Sequence, residues 1–159
     1  GGHISINIAQ RQIAEGRPPP AAMLLFYPGA GLPQRDRSYE LFGEGYMLDS
    51  AFIEFILPRV FEDYSPGRES EADGFMDPAG AAADLSAMPP TIVATAGFDI
   101  LRDVGRRYAD RLREDGVVVR YSNYGSLTHS FLQMTGVIED ADRAAEESAR
   151  AFGALIRAP

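Results

Sequence analysis

Residues 91–103 read Thr-Ile-Val-Ala-Thr-Ala-Gly-Phe-Asp-Ile-Leu-Arg-Asp, and this stretch joins a strand pattern to the start of a helix. Its first part holds only β-branched and small residues without a charge, which is typical of a strand covered on both faces in a parallel sheet. A helix is predicted over residues 102–114, so Asp99 falls at the junction. The stretch therefore predicts a strand-turn-helix unit with a carboxylate just past the carboxyl end of the strand.

Strand patterns and helix patterns alternate along the rest of the chain. Residues 31–66 interrupt it with an aromatic-rich segment that is not strand-like and is interpreted as a cap or pocket insertion. Alternating helices and strands predict an α/β fold with a mainly parallel sheet flanked by helices, and ligands are expected beyond the carboxyl ends of the strands. The other predicted elements are helices over residues 3–15, 51–62 and 140–156 and strands over residues 21–27 and 117–121.

Length and composition argue against several classes of function. The chain has 159 residues, the length of one ordinary domain, and its 45% apolar content is enough for a core. A net charge of −8 argues against nucleic-acid binding. The absence of cysteine excludes disulfides and thiolate sites, and two distant histidines make a transition-metal site improbable. No apolar run has the length of a membrane span, so no span is expected, and a cytoplasmic location is the default. No cofactor is expected for the chemistry considered below.

Asp99 and His129 are the candidate catalytic residues. His129 lies in residues 124–131, interpreted as a short polar loop after a strand. Taken alone, the aspartate could be an ordinary helix cap and the histidine a loop residue without a role. Parallel strands, however, bring both to the same sheet edge, where a carboxylate can accept the imidazole Nδ1–H and leave Nε2 free as a general base. Asp103 is a second candidate acid, predicted to point elsewhere.

These segments resemble a known family. The block Asp99-Ile100-Leu101-Arg102-Asp103 is similar to the Asp-Pro-Leu-x-Asp block of the hormone-sensitive-lipase-like α/β-hydrolases, and Thr128-His129-Ser130-Phe131 is similar to their His-Gly-Phe block. Ile100 replaces the family's proline and Ser130 its glycine, and either change could shift the geometry of the acid and the histidine. Further blocks in the family's order are Gly1-Gly2-His3, Leu25-Phe26-Tyr27-Pro28, Gly45-Tyr46-Met47-Leu48, Asp84-Leu85-Ser86 and Pro89-Pro90.

The resemblance implies a serine carboxylesterase or lipase acting on short-chain esters. Gly1-Gly2-His3 resembles the end of the family's Gly-Asp-Ser-Ala-Gly-Gly nucleophile turn, so residues 1–159 are interpreted as a partial domain that begins just after this turn. The nucleophilic serine is then expected two residues before Gly1, and the chain alone is expected to be inactive. Ser5, Ser126 and Ser130 lie outside any Gly-x-Ser-x-Gly motif. His3 is interpreted as a packing or surface residue.

Two alternatives stay open. The architecture also resembles plant gibberellin receptors, which bind a ligand without catalysis, although they lack the triad histidine that His129 supplies here. The chain could also be a fragment without activity of its own, which is compatible with the family assignment. The expected partners are a small ester substrate and a second copy, paired through an edge strand at residues 117–121. The candidate substrate-binding residues, for which ordinary packing is the alternative, are Tyr46, Met47, Phe52, Phe55, Leu101 and Phe131.

Overall fold

The computed structural model describes residues 1–33, 36–61, 77–78 and 84–157. It confirms the predicted α/β class, since helices alternate with the strands of one sheet. The sequence also predicts residues 65–90 to be loop-like, and most of these residues and the end of the predicted helix 51–62 lie outside the described residues. The helices are α1 (Gly2–Ala14), α2 (Arg37–Phe42), α3 (Ser50–Val60), α4 (Arg102–Glu114) and α5 (Glu139–Leu155), and the strands are β1 (Met23–Phe26), β2 (Thr91–Phe98) and β3 (Val119–Thr128).

The described strands form a parallel sheet in the order β1-β2-β3. The central strand β2 is buried along its length until Phe98, in agreement with its uninterrupted β-branched and small residues. Helices α1 and α4 cover one face, where Ile6 and Tyr108 join the core formed with Val93. Helix α5 covers the other face around Phe131. Both faces are therefore apolar, as a parallel sheet requires.

A bulge near the end of the sheet decides where the strand ends meet. Ala96 pairs with Tyr124, whereas Phe98 pairs with Thr128, so β3 has more residues than β2 between these two pairs. Gly97 permits the bulge, because a side chain there would collide with the backbone of β3. The extra residues advance β3, so that the positions following Phe98 and Thr128 become neighbours.

Strand β3 is longer than predicted. It runs over Val119–Thr128, so the interpretation of residues 124–128 as a loop is wrong, as is the end of the strand predicted at residue 121. The polar residues and the glycine of this segment suggested a loop. They are tolerated in a strand because β3 is paired only with β2 among the described residues and is largely open to water.

Local signals in the sequence mark two helix ends. The Asp49 carboxylate accepts a hydrogen bond of 2.8 Å from the backbone N–H of Phe52, which caps α3. After α1 the chain turns at Gly16, whose φ of +68° favours glycine. Helix α2 was not predicted; it lies in the aromatic-rich segment 31–66. Within the described part of the chain, no helix is long and apolar enough to cross a membrane.

Candidate active site

The candidate acid and base lie side by side at the carboxyl edge of the sheet. Asp99 follows β2 directly and His129 follows β3, and the bulge places them next to each other. His129 Nδ1 lies 2.8 Å from Asp99 Oδ2. The aspartate side chain is only 1% exposed, and the imidazole is 19% exposed. The carboxylate is thus held away from water, while the histidine keeps an open side.

Asp99 uses its two carboxylate oxygens for different purposes. Oδ1 accepts a hydrogen bond of 2.8 Å from the Leu101 N–H, and the Asp99 carbonyl accepts one of 3.0 Å from the Arg102 N–H. Asp99 therefore closes the turn before α4 and pairs with His129 at the same time, but it is not the helix cap considered from the sequence, since the N-cap residue of α4 is Leu101 and has no side-chain cap hydrogen bond. Because a carboxylate oxygen only accepts, a neutral imidazole in this pair donates from Nδ1 and carries its lone pair on Nε2. That arrangement suits a general base.

Asp103 points away from the imidazole, as predicted. Its Oδ2 accepts a hydrogen bond of 2.8 Å from the Ser38 N–H, and its Oδ1 accepts one of 2.7 Å from Arg102 Nε. Burial acts to raise the pKa of Asp103, but the hydrogen bonds from Arg102 and Ser38 outweigh it and lower the pKa overall. Asp103 therefore serves as an anchor between α2 and α4.

The Tyr27 ring packs against the imidazole, and Phe131 packs against the Tyr27 ring. The Tyr27 ring centroid is 4.8 Å from that of His129, with a tilt of 58° between the planes. Phe131 is fully buried, with its centroid 5.1 Å from that of Tyr27. Sequence analysis missed Tyr27. The available signal was its place directly after β1, at the same sheet edge as Asp99 and His129.

The residue after the histidine adopts an unusual backbone. Ser130 has φ +63° and ψ +23°, the left-handed conformation, and it precedes a short 3-10 helix at Phe131–Met134. This conformation costs non-glycine residues energy, which explains the glycine that the resembling family carries here. Ser130, in place of the family's glycine, therefore keeps the left-handed turn but adds backbone strain that glycine would not have.

An apolar cleft of about 480 Å³ opens beside His129. Gly1 and Gly2, at the amino end of α1, form part of its wall together with residues of α3. Among its described lining residues there is no Asp, Glu, Lys or Arg. The cleft can accommodate an uncharged group close to the imidazole.

The structure places the predicted substrate-binding residues in different environments. Phe52 and Leu101 line the cleft. Tyr46 stacks on Phe98 with a centroid distance of 5.6 Å, and Phe55 lies under the Arg59 guanidinium at 3.7 Å. Met47 is 60% exposed, and Phe131 lies in the core cluster with Leu127 and Ala144.

Other residues of α3 line the cleft and were not predicted. They include Ile53, Ile56, Leu57 and Val60. Aromatic content had suggested the candidates in this segment, whereas the helical spacing of these aliphatic residues was the better signal.

His3 lines the same cleft from α1. Its Nδ1 lies 2.9 Å from the Gly29 carbonyl oxygen, and its ring meets Phe61 edge-on at 5.2 Å. These contacts agree with the packing role interpreted from the sequence. In the described part of the chain, no three His, Cys, Asp or Glu residues gather into a group that could hold a metal ion.

Comparisons with known proteins identify the family and the fold. Residues 1–133 match a protein family whose members have the alpha/beta hydrolase fold. The carboxylic ester hydrolase LipN of Mycobacterium tuberculosis is 36% identical over 84% of this chain and 36% of its own length. The carboxylesterase NlhH of the same species is 35% identical over 99% of this chain and 48% of its own length. The chain thus spans about half the length of these relatives or less.

Solved structures show the same fold. The crystal structure of DphMB1 superposes with a TM-score of 0.88 at 28% identity, covering 98% of this chain and 50% of that one. A mutant of the α/β hydrolase LAE6 from the metagenome of Lake Arreo superposes with a TM-score of 0.83 at 35% identity, covering 97% of this chain and 47% of that one. From its sheet, its paired acid and histidine and these relatives, the chain belongs to the α/β-hydrolase family, in the hormone-sensitive-lipase-like group of esterases and lipases.

Proposed function

We propose that Asp99 and His129 are the acid and the base of a Ser-His-Asp triad in a serine carboxylesterase. The observation that carries the proposal is their 2.8 Å contact at the rim of an apolar cleft. The nucleophilic serine precedes Gly1, in the segment whose end resembles the family's nucleophile turn. The chain 1–159 then represents the part of the catalytic domain that follows this turn.

The proposed reaction proceeds through an acyl-enzyme. The serine hydroxyl attacks the ester carbonyl, and His129 Nε2 takes its proton. As the tetrahedral intermediate collapses, His129 protonates the leaving alcohol, and it then activates water to release the acid. Asp99 fixes the imidazole tautomer and stabilises the imidazolium that forms in each step. Backbone N–H groups, including that of the residue after the serine, hold the oxyanion.

The surroundings of Gly1 support a nucleophile upstream of it. Gly1 and Gly2 line the same cleft as His129, so the amino end of α1 and the base open onto one cavity. The positive end of the α1 dipole also faces this cleft, which favours developing negative charge on a substrate. A Cβ on Gly2 would lie 2.7 Å from Pro28 Cβ, so glycine lets α1 start tight against the end of β1. Ser126, an internal alternative, donates its hydroxyl hydrogen to Asp140 instead.

The cleft favours neutral esters with short apolar groups. Its wall from α3 is aliphatic and aromatic, so a charged acyl or alcohol group would lose its hydration without gaining a partner. Segment 31–66, which contains α3, accordingly serves as the pocket insertion. The names of LipN and NlhH, a carboxylic ester hydrolase and a carboxylesterase, agree with this substrate class.

The test is hydrolysis of 4-nitrophenyl acetate and butyrate by this chain and by a version extended upstream through the nucleophile turn and the oxyanion loop. We expect activity only in the extended enzyme, with loss on His129→Ala and retention on Ser126→Ala. Turnover by the chain 1–159 that disappears on Ser126→Ala would refute the proposal. An extended enzyme that binds esters without hydrolysing them would favour a non-catalytic, ligand-binding relative.

A further inference from the structure

Tyr27 has a backbone conformation that is rare for a large aromatic residue. Its φ is +38°, and among the described residues the only other non-glycine residue with a positive φ is Ser130. This region is disfavoured because Cβ approaches the following carbonyl group. Outliers of this kind persist only where their surroundings force them, and they cluster at functional sites.

Contacts on both sides of Tyr27 enforce this conformation. Its N–H donates a hydrogen bond of 2.6 Å to the Ala94 carbonyl, which continues the β1-β2 pairing one residue beyond β1. Pro28, the next residue, packs against the start of α1 so closely that Gly2 has no room for a side chain. The chain must therefore turn sharply between the hydrogen-bonded end of β1 and the start of α1, both of which are held in place.

The turn delivers the Tyr27 ring to the imidazole. The ring centroids of Tyr27 and His129 are 4.8 Å apart, and the Tyr27 ring also meets Phe131 at 5.1 Å with an interplanar angle of 82°. Asp99 holds the imidazole through Nδ1. Burial, and then the charge of Asp99, raise the pKa of the Tyr27 phenol, so the ring beside the imidazole stays neutral.

We propose that Tyr27 is a positioning residue for His129: its left-handed backbone turns the phenol ring onto the imidazole and keeps the imidazole in the rotamer that hydrogen-bonds Asp99. The effect on catalysis rests on the proposed esterase function. The effect on the geometry of His129 does not, and it can be measured separately.

Three substitutions separate the ring from the backbone strain. Tyr27→Phe keeps the ring and loses the hydroxyl. Tyr27→Ala loses the ring and keeps the strained φ, whereas Tyr27→Gly loses the ring and also removes the strain. Tyr124→Ala is the matched control, because it truncates a ring that packs on Phe131 at 5.7 Å from the side of β3.

The first readout is the proton on His129 Nδ1, observed by NMR in the chain 1–159. We expect Tyr27→Phe and Tyr124→Ala to keep this resonance, and Tyr27→Ala and Tyr27→Gly to broaden it and speed its exchange with water about tenfold or more, as the imidazole becomes mobile. Unchanged exchange in both ring-deleted variants would overturn the inference, whatever the esterase assay shows.

The second readout is the kinetics of the extended enzyme. The ring-deleted variants should lower kcat by about 10- to 100-fold, the cost of misplacing a reacting group, with KM changed less than about twofold. Tyr27→Gly should melt at a higher temperature than Tyr27→Ala yet remain as slow. Recovery of kcat in Tyr27→Gly would show that the residue acts only through stability and would overturn the inference.

The two proposals fail in different ways. If the His129 proton responds to loss of the Tyr27 ring but the extended enzyme hydrolyses no ester, the positioning role stands and the proposed function is refuted. If the extended enzyme hydrolyses esters and neither readout responds, the proposed function stands and the positioning role is refuted.

Discussion

Replacing Asp99 by asparagine changes the proton on the imidazole while leaving the shape of the site nearly intact. The new side chain can still accept the Leu101 N–H through Oδ1, so the turn into α4 is preserved. The position of Oδ2, 2.8 Å from His129 Nδ1, is then taken by an amide nitrogen. Because that nitrogen donates, the imidazole must accept at Nδ1 and carry its proton on Nε2.

The expected loss follows from this tautomer. With a proton on Nε2 the imidazole has no lone pair for the serine hydroxyl, and a neutral amide does not stabilise the imidazolium. The same exchange of aspartate for asparagine in a serine protease triad lowers kcat about 10⁴-fold. That factor corresponds to about 5.5 kcal/mol of activation free energy. The fold should be retained, since the turn hydrogen bond and the side-chain volume remain.

The assay is kcat for 4-nitrophenyl butyrate in the extended enzyme, with circular dichroism as a check on folding. Asp103→Asn is the matched control, because that carboxylate lies four positions further on and binds Ser38 and Arg102 instead of His129. We expect Asp103→Asn to retain kcat within about threefold, since it leaves the pair untouched. A folded Asp99→Asn variant within about tenfold of the wild-type kcat would refute the reasoning.

The remaining predictions concern the bulge, the strained turn, an acid anchor and the sheet edge. Gly97→Ala should lower the free energy of unfolding by about 1–3 kcal/mol, because its Cβ would meet the Gly125 carbonyl; an unchanged urea midpoint would contradict this. Ser130→Gly should raise the free energy of unfolding by about 1 kcal/mol, because it removes the backbone strain at φ +63°. A lower melting temperature in this variant would argue against that strain. Because the pKa of Asp103 is lowered in the folded chain, its stabilisation is present above the unfolded pKa and is lost as pH falls through the folded one. The stability gap between wild type and Asp103→Asn, about 1 kcal/mol at neutral pH, should therefore close in acid, and a gap that stays constant with pH would contradict it. Val118→Pro, next to the open edge of β3, should give monomers in light scattering if the chain pairs there, and an unchanged dimer would rule out that interface.

Elements with strong local patterns were predictable. The helix predicted over residues 102–114 has the bounds of α4, because Val104, Tyr108 and Leu112 form one buried stripe and the chain turns at Gly116. Helix α3 begins directly after Asp49, whose carboxylate caps it, one residue before the predicted start at residue 51. In each case neighbouring residues supply both the periodicity and the stop signal, so no distant contact is needed.

The candidate pocket was less predictable. Aromatic residues of segment 31–66 suggested its lining, but Tyr46 turned out to stack on Phe98 and Phe55 to lie beneath Arg59. Which side of α3 faces the cleft depends on how the helix sits against Leu101 and the carboxyl edge of the sheet. That placement depends on packing between segments that are distant in sequence. The amino-acid composition of segment 31–66 does not determine it.

The sequence by itself determined the α/β class and the order of the strands and of the helices other than α2, and it predicted that Asp99 and His129 lie at one sheet edge, because local periodicity marks each element and parallel strands end at the same edge. Only the tertiary structure decided that β3 continues to Thr128, that a bulge aligns the acid with the histidine, and that Tyr27 turns onto the imidazole. Each of these depends on hydrogen bonds and close packing between strands far apart in sequence. The local conformational preference at those positions is weak, so the neighbouring strand determines the backbone conformation.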